Sequence, residues 1–318
     1  MQVFNDFIMP ATIETLAQEV EKFNAASAGT ILLTTEGFTG DFLQESFYRS
    51  IHGARRRVNR YAANSTVTPT DLSQAKDIGV KVAGGFGPVL YEPSQMTWLL
   101  KPTAEGIEVA SRNFAEALMQ DQLNTAIAVL VAAIENNASV TVDVSATGGI
   151  NYKALNTSHS KFGDRSSMIV ANVMDGLTYH KLIGQNLGNA ERLYTYGAVN
   201  IVDILGKVAI ITDAPALSET GSPTKNKVLG LVPGAATISN SGDIISNINT
   251  TNGLERIETT LQIDYTFGVH VKGYAWDETN GGKSPTDAAL ATGSNWDKVV
   301  TSDKDTAGVI AVGDISLD

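Results

Sequence analysis

One uninterrupted stretch, residues 101–137 (KPTAEGIEVASRNFAEALMQDQLNTAIAVLVAAIENN), limits the folds open to this chain more than any other. Pro102 stands where a helix's first turn tolerates a missing N–H. Glu105 and Glu108 come next, placing negative charge near the positive end of a helix dipole. Ile107, Phe114, Leu118, Leu123, Ile127, Leu130, Val131 and Ile134 recur at helical spacing, and alanines fill much of the rest. No proline occurs between Pro102 and Asn137. The pattern predicts one helix of roughly 50 Å at about 1.5 Å per residue, where ordinary helices average about 11–12 residues. A helix of that length in a chain that otherwise reads largely as β needs a structural reason.

The 318 residues suit one large domain or two ordinary ones, with enough chain to bury a core without disulfides or metals. There is no cysteine, which excludes disulfides, thiolate metal sites and cysteine nucleophiles and fits a reducing cytosol. Lys and Arg total 23 against 34 Asp and Glu, a net charge of −11. That balance argues against sequence-independent DNA binding by the whole surface, which needs clustered cations. The opening MQVFNDFIMPATIETL lacks the basic region and apolar run of a signal peptide. The most apolar run, 127–134, is too short for a bilayer, so a soluble, unsecreted protein without a membrane partner is expected.

In chain order, residues 1–9 read as an arm and Pro10 precedes a helix that stops near Gly29. A short strand is expected at 31–35. Residues 41–63 carry Leu43, Phe47, Ile51, Ala54, Val58 and Tyr61 at spacings of three and four, which predicts a second helix. Its other face would bear Arg49, Arg55, Arg56, Arg57 and Arg60, the one basic cluster of an acidic chain. A solvated face, or a face against acidic neighbours, accounts for it better than DNA contact does. Ile78, Val80 and Val82 alternate with Gly79, Lys81 and Ala83 as in a strand, residues 67–72 suit its antiparallel partner, and Gly84, Gly85, Gly87 and Pro88 suit a break. A two-stranded hairpin has no core of its own, so 64–92 must lie on another copy of the chain or on its own domain. Residues 140–240 mix strands (140–144, 168–173, 199–205, 207–212, 228–238) with a helix that Asp175 can cap and Gly188 can end, an α+β subdomain. Within it, 146–158 and 214–226 read as loops, and 207–212 is apolar enough for burial on both faces. Leu261, Ile263, Tyr265, Phe267, Val269 and Val271 alternate with polar or small residues over a long strand within 254–277. Ser284 and Pro285 can open a short last helix, and 309–312 closes the chain.

The residues offer no positive case for catalysis. His52, His159, His180 and His270 are scattered, with none at metal-ligand spacing. Gly282-Lys283-Ser284 resembles the end of a phosphate loop, but Asp277 stands where its first glycine belongs and Pro285 comes directly after. The glycines of AGGFGP (83–88) make no dinucleotide fingerprint, and no serine sits in a nucleophile elbow. No catalytic, metal or cofactor-binding residue is assigned.

The order of parts carries more information than any site. An arm and helix come first, then an extended hairpin, one long helix, an α+β insertion, a long alternating strand and a short end. This order resembles the major capsid proteins of tailed bacteriophages with the Hong Kong 97-type fold, over essentially the whole chain. VKVAGGFGPV (80–89) is similar to the descending side of that family's extended loop. HSKFGDRSSMIVANVMDGLTYHKLI (159–183) and GKVAIITDAPAL (206–217) resemble parts of its apical domain, and SPTDAALATGSNWDKVVTSDKDTAGVI (284–310) its C-terminal ending.

The resemblance implies an α+β capsid fold: arm and helices at 1–63, an extended β-hairpin loop at 64–98, a peripheral domain with the spine helix at 99–139 and 241–318, and an apical domain at 140–240. It implies a non-enzymatic shell protein forming hexamers and pentamers of an icosahedral capsid around double-stranded DNA. Assembly would take place in the host bacterial cytoplasm, with scaffold (separate or cleaved), portal and decoration proteins as partners. The loop 214–226 would line the capsomer opening. Arg55, Arg56, Arg57 and Arg60 would contact neighbouring subunits. Lys76 and Lys81 lie where some members cross-link a lysine to a neighbour's asparagine. An encapsulin-like nanocompartment shell shares the fold. An enzyme with an unrecognised site is opposed by the missing motifs and the unsupported hairpin, and a tail-tube or sheath protein by the single long helix; for a monomeric binding module, a monomer with a rigid segment 64–92 would count.

Overall fold

The computed structural model describes residues 11–14, 24, 27–34, 40–49, 54–64, 66–72, 74–91, 104–193, 203–204, 206–221, 223–253, 255 and 257–317. The expected arm at 1–9 and most of the first expected helix lie outside them; Ala11, Thr12, Ile13 and Glu14 are helical.

The long helix α1 runs over Ala104–Glu135. Along its first described turns it is one-sided, with Ala115 and Leu118 buried and Arg112 and Glu116 exposed. From Thr125 to Ile134 nearly every residue is buried, as a helix apolar all round requires. Arg112–Glu135 is long and apolar enough to cross a membrane by length and composition, with mean hydropathy 1.4, which corrects the reading that no stretch qualifies. The apolarity has a simpler cause: 61% of that window is buried inside the chain, where the helix forms the centre of the core.

Two seven-stranded sheets pack against this helix. In the first, β1 (Ile31–Thr34) runs parallel to β10 (Ala236–Thr251), and β10 pairs antiparallel with β11 (Glu258–Val271). The far edge of β11 takes β3 (Gln74–Tyr91), whose outer half pairs with β2 (Phe42–Tyr48). Short strands β12 (Tyr274–Trp276) and β13 (Trp296–Lys298) extend from the end of β11. The second sheet has the order β4 (Thr141–Asp143), β14 (Gly308–Asp314), β9 (Lys225–Leu231), β5 (Ala171–Met174), β7 (Lys207–Ile211) and β6 (Asp203–Ile204), with β8 (Ser218–Glu219) beside β9. The other α-helices are α2 (Tyr152–Ser160), α3 (Gly176–Leu193) and α4 (Asp287–Leu290), with short 3-10 turns such as Gly163–Met168 between elements. One core cluster takes Phe267 and Val269 from the first sheet, Leu229 and Val309 from the second, and Leu130 and Ile134 from α1.

The alternation read in β11 holds. Ile263, Tyr265, Phe267, Val269 and Val271 are buried, while Gln262 and Asp264 are exposed. Asp175 caps α3 as expected, its Oδ1 accepting from the Thr178 N–H at 3.1 Å, but the helix continues past Gly188 to Leu193.

Other expectations fail for identifiable reasons. Among the described residues of 41–63 no α-helix forms. Phe42 to Tyr48 pair residue by residue with Val80 to Gln74, so strand pairing satisfies backbone that a helix would otherwise satisfy, and of the stripe Leu43 and Phe47 are half-buried while Val58 and Tyr61 are exposed. Residues 66–72 form no strand; β2 takes the place beside β3 that they were expected to fill. The glycines at 84–87 stay within β3, where β11 crowds it and only a bare backbone fits, and the expected break survives as a register shift between Phe86 and Val89. A Cβ at Gly84 would lie 2.7 Å from the Tyr265 ring, and Gly87 has φ +102°. The expected loop 146–158 contains α2, started by Asn151, whose Oδ1 accepts from the Ala154 N–H at 2.9 Å. Strand β7 is not buried on both faces: among the described residues only the two-residue β6 lies beyond it, and Ile211 is 48% exposed. In 214–226, Ala214 and Leu217 are core residues rather than members of a free loop. Thr286, not Ser284, caps α4, its Oγ1 accepting from Ala289 N–H at 3.3 Å.

Polar ties hold the two sheets to the helix end. The Lys227 ammonium, nearly buried, meets Glu135 of α1 at 2.8 Å and Glu219 at 3.3 Å. The Asn137 amide donates to Asp303 Oδ1 at 3.0 Å and to the Tyr274 hydroxyl at 3.3 Å. Arg165 pairs with Asp305, and Lys304 with Asp164, fastening the turn 163–168 to the C-terminal segment.

Candidate functional site

The feature that packing within one chain does not explain is the projection made by β2, β3 and the loop between them. Its inner half is firmly built. From Val80 to Tyr91, β3 lies on β11, and Phe86 sits between two aromatic neighbours: Phe114 of α1 (ring centroids 5.3 Å apart) and Tyr265 (5.4 Å). The Tyr265 hydroxyl donates to Asp121 Oδ2 of α1 at 2.6 Å. Burial, that hydrogen bond and the nearby carboxylate hold the hydroxyl well above its ordinary value, so it remains a donor throughout the physiological range. His270 Nε2 lies 2.8 Å from Asp77 Oδ1, bridging β11 to β3 where their backbone pairing ends.

The outer half is different. None of the seven residues of β2 is buried. In the loop, Val58, Val67 and Leu72 are exposed, and Tyr61 is 92% exposed. These exposed apolar side chains all belong to one segment of the chain.

Arg55, Arg56, Arg57 and Arg60 all fall in this loop and are exposed, with no ion pair among the described residues; Arg60 stacks 5.9 Å from the Tyr61 ring. They do not line the back of a helix, as the sequence pattern suggested, but sit on a segment without regular structure. Lys76 is exposed on β3. Lys81 is held within its own chain, 3.3 Å from Asp243. The exposed β2 escaped sequence reading. A seven-residue strand with a helix-like stripe has no local signal of its own.

Elsewhere the polar groups read as structural. Among the described residues no group of three or more His, Asp or Glu side chains is placed to hold a metal ion. His159 is buried, its Nε2 2.9 Å from Asn172 Oδ1, and burial holds its imidazole below the ordinary value. Lys207 donates to the carbonyls of Ser166 and Ile169, and desolvation lowers its ammonium pKa.

No curated protein matches the chain by sequence. Among solved structures it is similar to a chain of the cyanophage Pam1 capsid asymmetric unit, with TM-score 0.53 and 12% identity over 91% of this chain and 89% of that one. A structure from Microbacterium phage Oxtober96 gives TM-score 0.51 and 13% identity over 91% and 90%. One from Mycobacterium phage Bobi gives 0.51 and 12% over 89% and 88%. At such identities the likeness speaks to the fold, which is the Hong Kong 97-type capsid fold. A family model described as Gp13-like, major capsid protein 13-like, matches residues 1–310. The chain therefore belongs to the Gp13-like family of major capsid proteins, and its role is structural, in the shell of a virion.

Proposed function

We propose that copies of this chain form the hexamers and pentamers of an icosahedral shell around double-stranded phage DNA, and that the chain does no catalysis. The observation that carries this reading is the β2–β3 projection. It leaves Tyr61, Val58 and Leu72 in solvent while the body of the same chain is densely packed, so a second copy is its natural cover. Weak contacts of this kind become strong when closed symmetry repeats them. In this reading α1 is the spine of a peripheral domain, the α+β portion centred on the second sheet is apical, and the hairpin reaches from 42 to 91 rather than over 64–98. The net charge of −11 keeps packaged DNA from adhering to the wall. Assembly takes place in the host cytoplasm with scaffold and portal proteins, and decoration proteins can bind afterwards.

Negative-stain electron microscopy and sizing chromatography of the purified protein, alone and co-expressed with its scaffold, test this. Rings of five or six, or closed shells containing DNA, are expected. A monomer under every condition, or shells that enclose a co-purifying enzyme, would contradict it. Lys76 remains a candidate for covalent cross-linking, and denaturing gels of mature particles showing only monomer would dispose of that role.

A further inference from the structure

Between α2, the turn 163–168 and the start of β7 lies a pocket of about 430 Å³. Asn156, His159, Ser166, Ser167 and Lys207 line it, and among the described residues no carboxylate does. His159 is the recessed wall: it is 6% exposed, and its Nε2 lies 2.9 Å from Asn172 Oδ1. Gly230 of β9 makes room for the ring, since a Cβ there would come within 3.1 Å of Nε2. Lys207 brings the charge. Its ammonium donates to the carbonyls of Ser166 (3.3 Å) and Ile169, which leaves one of its three N–H donors over. Among the described residues it has no ion-pair partner. The carboxylates of the neighbouring turn and C-terminal segment are engaged elsewhere, Asp164 by Lys304 and Asp305 by Arg165.

Around this ammonium the acceptors are used and the donors are free. The last carbonyls of α2 are taken: Thr157 accepts from Ser160 Oγ at 2.7 Å, and Ser158 and His159 from the N–H groups of Lys161 and Phe162, each at 3.1 Å. By contrast, the hydroxyls of Ser166 and Ser167 and the side-chain amide of Asn156 have no hydrogen-bond partner among the described residues. One ammonium, two hydroxyls and one amide, brought together from three elements, make a site for an anion. A flat carboxylate is best held by an arginine fork, which the pocket lacks; a lysine point charge ringed by donors suits a tetrahedral oxyanion. We infer that this pocket binds a phosphate-type oxyanion, with Lys207 balancing its charge and Ser166, Ser167 and Asn156 donating to its oxygens. Burial lowers the ammonium pKa of Lys207 and the imidazole pKa of His159, and the Lys207 charge lowers the latter further, so a bound anion relieves a positive field that nothing else offsets. The inference does not rest on the shell reading, because every group belongs to one chain.

Equilibrium dialysis of radiolabelled inorganic phosphate against the full chain, at fixed ionic strength, tests this on unassembled chains and on particles alike. One saturable site per chain is expected. The double variant Ser166→Ala with Ser167→Ala should weaken binding at least about ten-fold, and Lys207→Met should do so by more. Thermal melts check that the variants fold; should both fail to fold, Asn156→Ala, at an exposed position of α2, takes their place with an expected loss of about three-fold. Acetate should compete at least about ten-fold more weakly than phosphate. Two further competitors separate the sources of the anion. Displacement by glycerol phosphate alone would assign the site to a small phosphate monoester, and displacement by unphosphorylated oligothymidylate to a nucleic-acid backbone. Binding that does not saturate, that persists unchanged in the folded variants, or that acetate displaces as well as phosphate does would overturn the site and leave the shell reading as it stands.

Discussion

Strands β14 and β2 have the same length and opposite surroundings. All seven residues of β14 are buried, between β4 and β9 of the second sheet. None of the seven residues of β2 is buried, and β2 has one partner, β3. Both carry apolar residues, Val309, Ile310 and Val312 in one, Phe42, Leu43 and Phe47 in the other. The difference teaches where each region's stability comes from. The sheet around β14 completes itself within one chain. The hairpin beyond Val80 is held by backbone pairing and by the packing of Phe42 and Ile78 on the core, while the loop it carries leaves Val58, Tyr61, Val67 and Leu72 exposed.

The largest expected contrast lies between the two ends of this comparison. Phe267→Ala, in the core under β3, should lower the unfolding free energy of the unassembled chain by about 3–5 kcal/mol in urea. A loss under about 1 kcal/mol would mean that the first sheet does not share the core. Next comes the point where the hairpin's strand meets the body. Gly84→Val should cost about 1–3 kcal/mol, because the new side chain meets the Tyr265 ring and the strand has to shift. Tyr265→Phe removes the hydrogen bond to Asp121 while keeping the ring, and about 0.5–1.5 kcal/mol should go with it.

Acid sharpens the contrast from the side of the second sheet. Burial holds the His159 imidazole below its ordinary value of 6.5, so the unfolded chain takes up this proton first as the pH falls. The stability it carries is complete above the unfolded value and is lost as the pH drops toward the folded one. Thermal melts at about pH 7.5 and about pH 5.5 should show the loss in the wild type and a smaller one in His159→Gln. Equal losses would assign the effect to other groups. The smallest effect on folding belongs to the tip. Tyr61→Ala should change the unassembled chain's stability by less than about 0.5 kcal/mol while reducing particle yield.

The same comparison explains what could be read from the sequence. Regions that bury one face against their own chain announced themselves: the helical period in 101–137 and the alternation from Leu261 to Val271 both reappear as α1 and β11. Regions whose partners are distant or absent did not. Leu43 and Phe47 fall at helical spacing, yet the local pattern lost to pairing with β3, some thirty residues on. The glycines of 84–87 suited a break because their reason for being small, the Tyr265 ring and the β11 backbone, lies far along the chain. The arginines were visible as a cluster, but their place on an irregular loop rather than on a helix was not, since β2 is set only by its register with β3.

Hydrogen exchange measured on the unassembled chain and on assembled particles tests the central claim, that the hairpin tip is left unfinished for another copy to cover. Amides of β9 and β14 should exchange slowly in both states. Those of residues 54–72 should exchange freely in the unassembled chain and become protected in the particle. Equal exchange of 54–72 in both states would contradict the account and make the projection an ordinary surface loop.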